Sequence, residues 1–265
     1  MGEIIVVTSG KGGVGKTTTT ANIGSGLAAL GKSVVLIDMD IGLRNLDVIL
    51  GLEQKIVYDL VQVAEGRCRV KQALVKDKRY DNLYLLAAPQ TKDKDAVTPE
   101  QMVKLCSSLV DDYDYILIDC PAGIEQGFRN ATAGAAKAIV VATPEVNSVR
   151  DADRVVGLLE SEDFESIQLI INRVRPQMVR KGEMMDMDAI TNILSINVLG
   201  VVPDDEAIIA AGNMGEPAVA NPQSPAGMAY ANIARRILDV NVPMLPISEN
   251  FSFGEKVKNI FRKRR

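Results

Sequence analysis

Residues Gly10-Lys11-Gly12-Gly13-Val14-Gly15-Lys16-Thr17 constrain this chain more than any other stretch. They fit the pattern G-x-x-x-x-G-K-[ST] and stand between an apolar, β-branched run at 4–8 and a helical pattern at 17–30. In that setting each part of the motif has a task. Glycines let backbone N–H groups converge on phosphate oxygens, and the positive end of the following helix adds to their pull. A lysine in the place of Lys16 reaches the β- and γ-phosphates, and a hydroxyl in the place of Thr17 serves Mg²⁺. The expected ligand is ATP with Mg²⁺, held by Gly10, Lys11, Gly12, Gly13, Val14, Gly15, Lys16, Thr17 and Thr18.

Short apolar runs at 4–8, 33–38, 83–87, 115–119, 138–143, 167–172 and 198–202 are continuous rather than alternating, as in strands buried on both faces. Helical patterns at 99–110, 148–159 and 225–238 fall between them. This predicts an α/β fold, a mostly parallel sheet covered by helices on both faces, with a C-terminal amphipathic tail helix. The expected division is a P-loop domain at 1–240, a linker at 241–250 carrying Pro243 and Pro246, and the tail helix at 251–265.

Two strands end in acids, Asp38 and Asp119, where parallel sheets bind their ligands. Asp119, after four apolar residues, reads as a Walker B acid, so Thr17, Asp38 and Asp119 are the expected metal set. Asp40 stands one residue past Asp38 and Met39, placed to orient an attacking water. Among all 265 residues there is no His, so acid–base chemistry falls to carboxylates and Lys, and the commonest transition-metal ligand is missing. The three cysteines, Cys68, Cys106 and Cys120, form no CxxC pair, which argues for a reducing compartment and against a disulfide framework. Cys120 reads as a small buried residue. No basic, apolar leader opens the sequence, and no apolar run approaches the length of a membrane span.

Lys11 is the informative departure from a common P-loop. Lys11-Gly-Gly-Val-Gly-Lys16-Thr17-Thr18 resembles the deviant Walker A motif of the MinD/ParA class of ATPases. The stretches from Asp38 to Asp47, from Asp119 to Glu125 and from Pro144 to Arg154 are similar to the two switches and a helix of its MinD branch. The resemblance implies a homodimer formed with ATP, with Lys11 and Gly12 at the interface and Lys11 reaching the partner's nucleotide. It implies that Asp40 polarises the water, with Lys11 and Lys16 completing the catalytic set. It implies a base site at Asn172, Arg173, Pro203 and Asp204. It also implies MinC-like and MinE-like partner proteins, met near the charged face carrying Arg150, Asp151, Asp153 and Arg154, and a role in placing the division site.

The tail carries its own chemistry. On a helix, Phe253, Val257, Ile260 and Phe261 fall on one stripe, with Phe251 just before it. Lys256, Lys258, Arg262 and Lys263, followed by Arg264 and Arg265, outweigh Glu255 by about five charges on a chain whose net charge is −4. That combination suits an anionic membrane surface, and the interleaved Phe and Ile separate it from a solvated run or a nucleic-acid arm. The expected location is cytoplasmic, peripheral on the inner face of the cell membrane or of an organelle's equivalent. The rivals are a partition ATPase binding DNA non-specifically, an iron–sulfur protein, which would need paired cysteines, and a tyrosine kinase of related fold, which would end in a Tyr cluster.

Overall fold

The computed structural model describes residues 1–90 and 96–244. Its strands are β1 (Glu3–Thr8), β2 (Val34–Asp38), β3 (Val75–Lys76), β4 (Leu83–Leu86), β5 (Tyr115–Asp119), β6 (Lys137–Ala142), β7 (Ser166–Val174) and β8 (Asn197–Pro203). They form one sheet in the order β3-β4-β2-β5-β1-β6-β7-β8, parallel throughout except at the β3–β4 edge. The helices are α1 (Lys16–Ala29), α2 (Leu46–Leu50), α3 (Leu60–Ala64), α4 (Val70–Ala73), α5 (Pro99–Ser107), α6 (Gln126–Thr132), α7 (Val146–Ser161), α8 (Pro176–Arg180), α9 (Met187–Leu194), α10 (Ala207–Asn213) and α11 (Pro225–Ile237).

The continuous apolar strands follow from a sheet buried on both sides. Ile5 and Val7 of β1 turn to one face, where α1 and α11 supply Ile23, Leu27, Tyr230 and Ile233. Val6 turns to the other, joining Val35, Ile37, Ile116 and Ile118 beneath Leu105, Phe128 and Val149 of α5, α6 and α7. Each fully buried aliphatic side chain of this kind contributes roughly 1.5–3 kcal/mol relative to exposure. Helix α1 is buried over most of its surface, lying on the sheet with α11 beside it. Gly26 permits that, because a Cβ there would lie 2.9 Å from Cβ of Ala234.

All seven predicted strands are present, with ends shifted by a residue or two. The sequence reading did not contain β3, two residues long and antiparallel, because so short a pairing leaves no periodic trace. It also stopped β7 at Asn172, whereas the strand continues to Val174 through register irregularities against β8. Arg173, inside the irregular stretch, takes a left-handed φ of 57°.

At the end of α11 the Arg236 guanidinium donates to three carbonyls: Leu199 in β8 at 2.9 Å, Val242 at 2.9 Å and Pro243 at 3.0 Å. The first linker residues are thereby held against the sheet edge. The remainder of the linker and the tail, with Phe251, Phe253, Lys256, Val257, Lys258, Ile260, Phe261, Arg262 and Lys263, lie outside the described residues. No helix among the described residues is long and apolar enough to cross a membrane.

Candidate functional site

The loop between β1 and α1 opens at the carboxyl end of the central strand, flanked by β5 on one side and β6 on the other. Lys11, Gly12 and Gly13 are exposed, while Val14 is buried and anchors the loop. Gly15 has φ +99°, and a Cβ there would collide with the Asn172 amide, so no side chain is tolerated. Asn172 Nδ2 donates to the Val14 carbonyl at 2.8 Å, so the end of β7 props the loop from beneath.

Lys16 begins α1 and is 7% exposed. Its Nζ donates to Ser9 Oγ at 2.9 Å, and Ser9 Oγ donates to the Lys11 carbonyl at 2.7 Å. Burial lowers the proton affinity of this ammonium, and Asp119 and Asp40 work against that shift. A positive charge is thus set beneath the exposed loop before any phosphate arrives.

The acids lie beside it. Asp38 and Asp119 are register partners across β2 and β5, and both are fully buried. Asp38 accepts from the backbone N–H groups of Asp40 at 2.9 Å and Leu46 at 3.3 Å, so its two oxygens hold the loop between β2 and α2. Burial, then the neighbouring Asp119 charge, pushes the Asp38 carboxyl well above the usual carboxylate range. Asp119 is pushed up to about 7, again chiefly by burial, against the hydroxyls of Thr17 and Thr20 and the Lys16 charge. Its Oδ2 has no hydrogen-bond partner among the described residues. Two buried, adjacent acids with one orphaned oxygen fit a hard cation. Mg²⁺ takes one or two carboxylates and keeps most of its shell as water and phosphate oxygens. Thr17 and Asp119 would hold that ion, directly or through water, with Asp38 beside them. Held there, Mg²⁺ would offset the charge of the phosphates.

Asp40, half-buried, lies two residues past the end of β2, its N–H fixed by Asp38 and its carbonyl accepting from Leu43 and Arg44. Lys11 stands apart from the other charges. Its side chain is 45% exposed and its Nζ lies 3.9 Å from Glu145 Oε2, a loose pair at the start of α7.

A cleft of about 530 Å³ opens beside the loop, lined by Gly15, Thr18, Asn172, Arg173, Pro203, Asp204, Ile208 and Tyr230 among others. The four predicted base-site residues therefore meet in one place. Arg175 and Asp204 pair across its rim at 2.6 Å. Tyr230, Ile208 and Glu206 also line the cleft, and no sequence motif marks them. Tyr230 lies in α11, far along the chain, and reaches the site through its hydroxyl, 3.0 Å from Thr19 Oγ1. Only tertiary packing reveals that contact.

Comparison with known proteins agrees with this geometry. The model of the CobQ/CobB/MinD/ParA nucleotide binding domain matches residues 5–218. The chain is 57% identical over 264 residues to the septum site-determining protein MinD of Bacillus subtilis (strain 168), covering 98% of each. It is similar to a chain of the MinC:MinD cell division protein complex of Aquifex aeolicus, at 48% identity and a TM-score of 0.86, covering 92% of this chain and 98% of that one. It is also similar to MinD of Pyrococcus horikoshii complexed with Mg-ADP, at 29% identity and a TM-score of 0.81, covering 91% and 100%.

Proposed function

The chain belongs to the CobQ/CobB/MinD/ParA nucleotide-binding family, and from that premise we propose that it is a MinD-type ATPase that determines the septum site. The observation that carries this is the meeting of Lys16, Thr17, Asp38, Asp40 and Asp119 at the carboxyl ends of β1, β2 and β5, in a chain aligned end to end with septum-site relatives. It binds ATP with Mg²⁺, as the Mg-ADP complex of the Pyrococcus horikoshii relative supports. It recruits a MinC-like inhibitor, as the MinC:MinD complex of Aquifex aeolicus supports. In this reading hydrolysis is slow, is stimulated by a MinE-like partner, and ends the membrane-bound state.

Two ATP-bound copies form the working dimer. The support is Lys11: an exposed lysine in a phosphate loop, paired only loosely with Glu145 at 3.9 Å, is free to cross to a second copy. An exposed pair like this one is worth little, so a trans phosphate outcompetes it. Lys11→Ala should leave ATP bound to a monomer. Light scattering with Mg·ATP would report the mass, and a variant that dimerises like wild type would remove the trans role.

The membrane is held by the tail through Phe251, Phe253, Val257, Ile260 and Phe261 with the basic residues around them. One short amphipathic helix barely offsets the entropy of its own ordering, so one copy stays in solution. A dimer presents two, and the second binds at the effective concentration set by the linker. Co-sedimentation with anionic liposomes should therefore be strong with ATP, weak with ADP, and absent without the last fifteen residues. Phe261→Glu should abolish it while ATP-dependent dimerisation persists, because a carboxylate cannot enter the apolar stripe. Equal binding in ATP and ADP would overturn the gating. Binding that survives Phe261→Glu but fades with salt would mean a purely electrostatic tail, and DNA would then be the surface to test.

A further inference from the structure

The two buried acids differ in what their oxygens already do. Both oxygens of Asp38 accept backbone N–H groups, from Asp40 and Leu46. Asp119 has one oxygen in a hydrogen bond: Oδ1 accepts from Thr20 Oγ1 at 3.1 Å, whereas Oδ2 has no hydrogen-bond partner among the described residues, with the Thr17 hydroxyl close to the carboxylate. Of these four oxygens, Asp119 Oδ2 is the one with no hydrogen bond among the described residues.

What holds it in that orientation is a side chain four residues beyond Lys16. Thr20 is fully buried on α1, with no water to satisfy it. Its hydroxyl has one proton and two acceptors in reach, Asp119 Oδ1 and the Lys16 carbonyl, each at 3.1 Å. The bond to the carbonyl is the ordinary habit of a helical threonine. In its ionised form, the one that binds a cation, the carboxylate competes better, because a bond to an ionised acceptor is roughly twice as strong as a neutral one. The terminal torsion of an aspartate is broad and close to two-fold, so an Asp119 without this donor could turn either oxygen outward, or neither squarely.

We propose that Thr20 is a positioning residue for Mg²⁺: by donating to Asp119 Oδ1 it fixes the carboxylate so that Oδ2 faces the metal shell. Thr20 touches neither metal nor nucleotide and acts only through Asp119. The same geometry gives Asp38 a separate task, since its oxygens are committed to the loop that carries Asp40. The inference rests on the Mg·nucleotide reading above.

The test uses the full chain and a fluorescent ATP analogue titrated with Mg²⁺. Loss of an outer-shell partner of a metal ligand weakens metal affinity about 10–100-fold. Thr20→Val keeps the shape and removes the donor, so the Mg²⁺ midpoint should rise by that factor. Analogue binding in EDTA should stay within about threefold of wild type. Thr20→Ser, which keeps the hydroxyl, should restore the wild-type midpoint. Should the valine variant not bind analogue in EDTA, Thr20→Ala, which adds no bulk, takes its place in the comparison. A donor-free variant with a wild-type midpoint, or a serine variant as impaired as the valine one, would overturn the positioning role. A wild type whose binding ignores Mg²⁺ altogether would instead remove the metal reading on which it rests.

Discussion

Lys16→Ala should lower affinity for ATP about 100-fold while leaving the apo protein at least as stable as wild type. The first half follows from what the ammonium is placed to do. It is buried, it donates to the neutral hydroxyl of Ser9, and it lies beside a loop in which Lys11, Gly12 and Gly13 are exposed. A hydrogen bond to a charged group contributes roughly 1.5–3 kcal/mol, which spans the expected loss. The second half follows from the direction of its shift. Burial lowers the Lys16 pKa below the ordinary lysine value, so folding disfavours its charged form. That cost is present in full below the folded pKa and disappears as pH rises past the ordinary lysine range, so at neutral pH the wild type carries it and alanine does not. Thermal melting separates the two effects. With ATP at about 100 times Kd, wild type should gain roughly 2.7 kcal/mol, or about 5–10 °C, and the variant should gain almost nothing. A variant whose melting temperature responds to Mg·ATP as wild type does would show that the phosphates are held by backbone alone.

The nucleotide half of the site was legible in the sequence because its chemistry is local. A glycine loop, a lysine and a threonine within eight residues announce themselves, and strand-ending acids at 38 and 119 follow from burial. What brings Asp38 and Asp119 together is their register across β2 and β5, which pattern alone does not supply. Thr20 shows the same limit more sharply. In sequence it is one of four consecutive threonines, and nothing in the composition of that run marks the last as the partner of an acid 99 positions away. Asn172 was legible as a residue at the base site, but its donor half is taken by the Val14 carbonyl in this structure. That use depends on Gly15 being a glycine. Local chemistry is written in the residues, whereas shared acceptors and propped loops are written in the packing.

Asp40→Ala should reduce ATP turnover by about 10²–10⁴-fold without weakening Mg·ATP binding or the ATP-dependent dimer. The chain has no His, and a carboxylate can orient and polarise the attacking water in its place. Of the three acids here, two are otherwise engaged: both oxygens of Asp38 hold backbone amides, and Asp119 accepts from Thr20. Asp40 alone remains half-buried, with its N–H pinned by Asp38 so that its position is fixed while its carboxylate is not consumed. Its negative charge raises the proton affinity of both Asp38 and Asp119. Removing it therefore lowers local repulsion toward phosphate, and the affinity for Mg·ATP should hold or tighten. Asp40→Asn keeps the shape and a hydrogen-bonding amide but no charge, and it should turn over no faster than the alanine variant. Phosphate release at saturating Mg·ATP, read beside light scattering of the same samples, tests both halves. Turnover within about threefold of wild type in the dimeric Asp40→Ala protein would remove Asp40 from the reaction, and recovery in Asp40→Asn would reduce it to a residue that orients water by hydrogen bonding alone.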